Sequence, residues 1–335
     1  MRLRNALLPV LALGALALAG CGGTSSAGTT PAPQAVSAAD LAKVTLKVGD
    51  QKGGSQALLE AAGLLNTPYK IEWSTFTSGP PLLEAASAGA VDLGGVGNTP
   101  PIFSAAANAK IAVVQAAQHT GPGDALLVPE DSPIRDAKEL KGKTIAVAKG
   151  SSAHGQLLDV LIRAGLKVND VTITFLQPAD AYTAFTQHRV DAWAIWDPYT
   201  SQALLEAKAR SLVDGSSGTA NGYSFQVAGR SALGDAGKNT AIQDYLSRLA
   251  KAQKWSDSHK DEWAQAWSKV TGLKPEVART SVGHGATLPI PLEDKVIASE
   301  QQLADAFSDA KVLPGKVKFA DFVDTRYEDK TGGSR

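Results

Sequence analysis

Thiol chemistry is almost absent from this 335-residue chain, which holds one cysteine, Cys21. One cysteine excludes an intrachain disulfide, and its place near the amino terminus excludes a cysteine nucleophile in the folded part. Charge of one sign is lacking too. Lysine plus arginine number 33, as do aspartate plus glutamate. No net basic field and no dense Lys/Arg run is present to gather nucleic acid. Motifs with a known mechanism are missing. There is no G-x-x-x-x-G-K-[ST], no G-x-G-x-x-G, no H-E-x-x-H and no G-x-S-x-G. His119, His154, His188, His259 and His284 are scattered singly, so no metal-ligand spacing exists, and apart from His154 they read as surface or capping residues. Asp180, Asp191 and Asp197 are close in sequence, but sequence alone does not bring them together as an acid–base pair.

What is present begins with a targeting segment. Arg2 and Arg4 precede an apolar run over 6–19 that is short for a membrane span and interrupted by Pro9 and Gly14. The run ends in Leu18-Ala19-Gly20-Cys21, which resembles the bacterial lipoprotein signal, with Cys21 as the lipidated first residue after cleavage. Lipid chains gain about 0.8 kcal/mol of membrane affinity per buried methylene, so two or more hold firmly. Residues 1–20 are then signal peptide, and 21–40, small, polar and proline-bearing, are a disordered tether. Removal of the signal leaves 31 basic against 33 acidic residues.

Folded sequence is expected from about Val44. "VTLKVGD", "YKIEWSTF", "AVDLGGVG" and "KIAVVQAAQ" pattern as strands, separated by "GGSQALLEAAGLL", "PPLLEAASAG" and "TPPIFSAAANA" as helices. After "GDALLVPEDSPIRD" the alternation resumes through "KTIAVAKGSS", "VTITFL", "ADAYTAFTQ" and "VDAWAIW". "GYSFQVAGRSAL" is extended, and the chain beyond Asn239 is mainly helical. Val296, Leu303 and Phe307 share one helix face and pattern as core. Alternating strands and helices define an α/β fold.

Four strand-to-helix junctions share a chemistry. They are Asp50-Gln51-Lys52-Gly53-Gly54-Ser55, Thr77-Ser78-Gly79-Pro80-Pro81, Gly97-Asn98-Thr99-Pro100-Pro101 and Lys149-Gly150-Ser151-Ser152. A helix start presents unpaired N–H groups and roughly half a positive charge, so an anion can sit there without a salt bridge. In open α/β sheets such starts lie where ligands bind. Each loop alone is equally an ordinary capped junction. His154, in the first turn after Ser151-Ser152, is placed to donate to an anion. Trp196 suits either a flat apolar wall beside the site or core packing, and Trp193 the core.

The segments "QKG", "SGPPLLEA", "VDLGGVGNTPPIF", "LVPEDSPI", "LKGKTIAVAKGSSAH", "LQPADAYTAF" and "VDAWAIWDPY" resemble the aliphatic sulfonate-binding proteins of bacterial ABC importers. Their wider family includes taurine, nitrate and thiamine-precursor binders. The resemblance runs from about residue 44 to 325. "SGPPLL" carries a second proline where relatives often have a polar residue. The resemblance implies a two-lobed periplasmic-binding-protein-like fold (type II), with two hinge strands and a ligand cleft between the lobes. Lobe one is expected over 41–123 plus 225–327, lobe two over 124–224, crossings near 121–128 and 220–229, and a tail over 328–335. The implied ligand is an alkanesulfonate, held by Gln51, Ser78, Gly79, Asn98 and Thr99 from lobe one and Gly150, Ser151, Ser152 and His154 from lobe two. Trp196 would cover the organic tail, and Asp197 would orient it or bind an amine. Gly150→Asp is expected to abolish binding with the fold preserved.

The implied molecule is a monomer that needs no cofactor or metal, binds no nucleic acid, and is lipid-anchored in the cell envelope on the outer face of the cytoplasmic membrane, or periplasmic. Its partners are a permease and, through it, an ATPase. Taurine, nitrate or a thiamine precursor is the alternative ligand, and a sensor lipoprotein without a transport role a further alternative. Enzymes with a related lobed fold, the pyrimidine synthases, need a reactive histidine and a thiol-bearing segment, and the latter is absent here.

Overall fold

The computed structural model describes residues 32–328. The signal peptide, Cys21, most of the expected tether and nearly all of the tail lie outside them. Order begins before Val44. Ser37 caps the short helix α1 (Ala38–Leu41), and the Val36 N–H donates to the Thr240 hydroxyl at 3.2 Å, so the last residues of the expected tether are part of the folded body.

Strands β1 (Thr45–Gln51), β2 (Lys70–Phe76), β3 (Leu93–Gly97) and β4 (Ile111–Gln118) alternate with α2 (Ser55–Ala61), α3 (Gly79–Ser87) and α4 (Thr99–Ala106). The chain then builds β5 (Ala125–Pro129), β6 (Thr144–Val147), α5 (Ser152–Arg163), β7 (Thr172–Phe175), α6 (Pro178–Thr186), β8 (Ala192–Ile195), α7 (Tyr199–Glu206) and β9 (Ala209–Asp214). It returns through β10 (Tyr223–Gly229), α8 (Arg230–Gly234), α9 (Ala236–Ser258), α10 (Lys260–Thr271), α11 (Pro275–Gly283), β11 (Leu288–Ile290) and α12 (Asp294–Asp309).

These strands form two sheets, ordered β11-β4-β10-β3-β1-β2 and β7-β6-β8-β5-β9. Within each, three consecutive strands are parallel, and β10 and β5 run against their neighbours. The connections between sheets are therefore 119–124 and 215–222. Tyr223 and Ser224 already pair with β4, so the expected boundary at 224/225 moves back a few residues. The two connections run side by side, with the His119 N–H donating to the Gly222 carbonyl and the Gly215 N–H to the Asp124 carbonyl.

Both sheets are covered on both faces, which explains their nearly continuous apolar strands. In β4, Ile111 and Val113 face one cluster with Leu82, Phe225 and Phe307, whereas Ala112 and Val114 face another with Leu46, Leu93 and Tyr245. In β8, Ala192 and Ala194 face one side, and Trp193 and Ile195 the other, where Trp193 is fully buried as expected. Val296 and Phe307 of α12 are core, with Leu303 packed against it.

Candidate functional site

The carboxyl ends of β1, β3 and β8 and the start of α5 converge on a cleft holding two adjoining cavities of about 320 and 750 Å³. That size suits a small organic ligand. Of the residues expected to bind, Gln51, Gly79, Ser151, Ser152, Trp196 and Asp197 line the smaller cavity. Ser78, Asn98, Thr99, Gly150 and His154 line neither cavity.

The four helix starts differ once their hydrogen bonds are traced. At α2 the chain supplies its own anion: the Asp50 carboxylate accepts from the N–H groups of Gln51, Ser55 and Gln56, each at 2.9 Å, and from the Ser55 hydroxyl. Burial pushes the Asp50 carboxyl above its usual range despite these donors. At α3 and α4, Pro80-Pro81 and Pro100-Pro101 occupy the second and third helical positions, so two of the first four N–H groups are missing at each. The Ser78 hydroxyl donates to Gln177 Oε1 at 3.0 Å, joined by Thr77 at 2.9 Å, which ties α3 to the start of α6 in the other sheet's body. Asn98 donates to Asn221 Oδ1, and Thr99 donates to Asn98, so both side chains face inward to the second connection rather than to the cleft.

At α5 the first-turn donors remain. Ser151 caps the helix and donates to the Ala148 carbonyl. The N–H groups of Ser152 and Ala153 have no protein acceptor among the described residues, as expected of a first turn. Ser152 stands opposite Gly97, where any side chain would meet it at 2.8 Å. The Gly150 N–H is not free, because it donates to His154 Nδ1 at 3.1 Å. The His154 ring is packed among Phe103, Phe307 and Phe175, with centroids 5.2–5.6 Å away, and burial lowers its pKa to about 4. It is a neutral ring wedged between α5, α4 and α12, not a donor to a cleft anion.

Asp197 is fully engaged. It accepts from the Ser201 N–H and hydroxyl, and from His284 Nδ1 at 2.6 Å. His119 and His284, expected to be surface or capping residues, both line the cleft. His119 Nε2 lies 3.3 Å from Asp124 Oδ2, and burial raises the Asp124 carboxyl against the lowering effect of His119. The hydrogen bond to Asp197 holds the His284 imidazole above its ordinary pKa. No lysine or arginine lines the smaller cavity.

Sequence reasoning missed Ser224, Trp263 and Trp267 of the lining. Ser224 gives no signal in an extended segment. Trp263 and Trp267 were visible as a pair four apart on a helix, hence on one face. Among the described residues no His/Cys/Asp/Glu cluster with metal-binding geometry occurs, and no helix is long and apolar enough to cross a membrane.

Two α/β lobes closing on a donor-lined cleft make this a solute-binding protein of the periplasmic-binding-protein-like class. A family model described as NMT1/THI5 like matches residues 80–226. An Escherichia coli (strain K12) protein named for aliphatic-sulfonate binding is 40% identical over 286 residues, covering 84% of this chain and 88% of that one. The alkanesulfonate-binding protein SsuA from Xanthomonas axonopodis pv. citri, bound to MOPS, superposes with a TM-score of 0.77 at 36% identity, covering 84% of this chain and 98% of that one. The periplasmic aliphatic sulphonate binding protein SsuA from Escherichia coli does so with 0.74 at 38% identity, over 84% and 92%. The chain belongs to the aliphatic sulfonate-binding protein family.

Proposed function

We propose that this chain captures sulfonate anions outside the cytoplasm and delivers them to the permease of an ABC importer. The observation that carries the ligand class is the start of α5, where free N–H groups and the Ser152 hydroxyl meet a cavity lined by no lysine or arginine. A sulfonate is a strong acid, permanently charged, with three acceptor oxygens. Neutral donors and a helix dipole hold such a group without any change in their own protonation. Ser152 and Gly79 hold the head in this reading, with Ser151 and Gln51 beside them; both Ser151 donors go to the Ala148 carbonyl, and one Gln51 amide hydrogen goes to the Gly95 carbonyl. Trp196 flanks the tail. Asp197 and Asp124 already face histidines, which favours amine-free sulfonates over taurine.

The lobes move about 119–124 and 215–222, and ligand favours the closed state by touching both. A lipid on Cys21 keeps the protein beside its permease, whose ATPase drives uptake. Calorimetry with ethanesulfonate, butanesulfonate, taurine, sulfate and nitrate tests the reading. Sulfonates are expected to bind at low micromolar concentration or tighter, and absence of any sulfonate binding at tens of micromolar protein overturns it.

A further inference from the structure

Trp263 and Trp267 of α10 lie four residues apart, and their rings stack with centroids 5.5 Å apart and planes 11° from parallel. Both line the smaller cavity, and Trp267 continues into the larger one. Trp196, at the end of β8 in the other sheet's body, lines both as well. Trp267 is seated firmly: its Nε1 is buried without a hydrogen-bond partner, and it lies against Gly53, where a Cβ would come within 2.0 Å of that nitrogen. The glycine leaves room for the indole, and the unpaired N–H is accepted in return for a flat apolar surface turned to the cleft.

A short alkyl chain gains only area burial from such a surface. A planar ring gains more, because offset stacking on an indole adds to simple area burial. We infer that the cleft selects sulfonates whose tail is a planar aromatic ring, laid between Trp196 and the Trp263–Trp267 pair, with the sulfonate at the start of α5. The inference rests on the proposed function for the head group, and adds the class of tail. The two cavities together exceed what a two- or three-carbon tail fills, which leaves space for a ring.

The test is a matched pair that differs only in planarity: benzenesulfonate against cyclohexanesulfonate, measured by calorimetry on the folded protein, with ethanesulfonate as reference. Wild type is expected to bind the aromatic member about tenfold more tightly. In Trp263→Leu and in Trp267→Leu that ratio is expected to fall to about two or less. The wild-type comparison stands without any variant, so a poorly folding Trp267→Leu does not rescue the idea. Equal affinity for the two rings in wild type, or an undiminished ratio in folded Trp263→Leu, overturns the aromatic assignment while ethanesulfonate binding keeps the sulfonate reading. If no sulfonate binds at all, both fall.

Discussion

Ser152 and His154 are two residues apart in sequence and do different work. Ser152 faces the cleft with free donors, whereas His154 fills a gap between three phenylalanines and takes the Gly150 N–H. The sequence pattern named both, because a hydroxyl and an imidazole in a first helical turn look alike as donors. Only the packing of α4 and α12 against α5, a contact between distant segments, separates them. The same packing alters the choice of mutation. Gly150 has φ +72°, and a Cβ there would meet the Phe103 ring at 3.1 Å, so Gly150→Asp strains the fold as well as the site. Ser152→Asp is the cleaner change, since an acidic residue suits a first helical turn. It is expected to weaken sulfonate binding by about 100-fold or more while the melting temperature stays within a few degrees. Calorimetry and thermal melting on one sample decide, and retained affinity would place the anion elsewhere.

Glu300 was not legible as a special residue, because a glutamate on a long helix patterns as surface. It is fully buried on α12, accepts from Asn221 Nδ2 at 2.8 Å through one oxygen, and has no partner for the other among the described residues. Burial pushes its pKa up to about 8. The folded state therefore keeps a proton that the unfolded chain, titrating near the ordinary carboxylate value, has lost. The contribution of Glu300 to stability is fully present below about pH 4.5, is lost as pH rises toward 8, and levels off above it. Glu300→Gln removes the charge and hence this slope. It is expected to match wild type near pH 5 and to exceed it by about 1–3 kcal/mol near pH 8.5. Melting curves across that range check it, and parallel curves would refute the buried charge.

Among elements, the helix starts carry the clearest lesson. Glycine, hydroxyl and proline signals located all four junctions, and each does begin a helix or its cap. Chain-local signals could not show which start is open. Asp50 closes α2 from five residues upstream, paired prolines thin α3 and α4, and α5 keeps two successive N–H groups, those of Ser152 and Ala153. The proline effect was readable in principle by counting N–H groups. Asp50→Ala is expected to cost about 1–3 kcal/mol, because it strips an acceptor from three backbone donors and a hydroxyl. Urea titration measures this, with Asp50→Asn falling between the two. A loss below about 0.5 kcal/mol would mean that water replaces the carboxylate without penalty.

For the whole molecule, strand alternation and the segment resemblance foretold two lobes and their order. The contacts that cross between the lobes were hidden, since each joins residues some 90 to 100 positions apart: Thr77 and Ser78 with Gln177, and Asp197 with His284. The last pair includes an imidazole, whose charge depends on pH. His284 is held above its ordinary value first by the hydrogen bond to Asp197 and also by the charges of Asp197 and Asp214, against burial. If opening of the cleft parts His284 from Asp197, the imidazole returns toward its usual pKa of about 6.5. Stabilisation of the closed state is thus fully present below that value and is lost as pH rises through the raised pKa of the closed form. The sulfonate itself does not titrate in this window, so a change in affinity reports the protein. Binding is expected to weaken by about 3- to 10-fold between pH 6 and pH 9 in wild type, and to stay flat in His284→Gln, whose affinity should lie near the alkaline wild-type value. Calorimetry at both pH values, with scattering to follow the opening, tests the coupling. An equal pH dependence in the variant would show that the coupling does not run through His284.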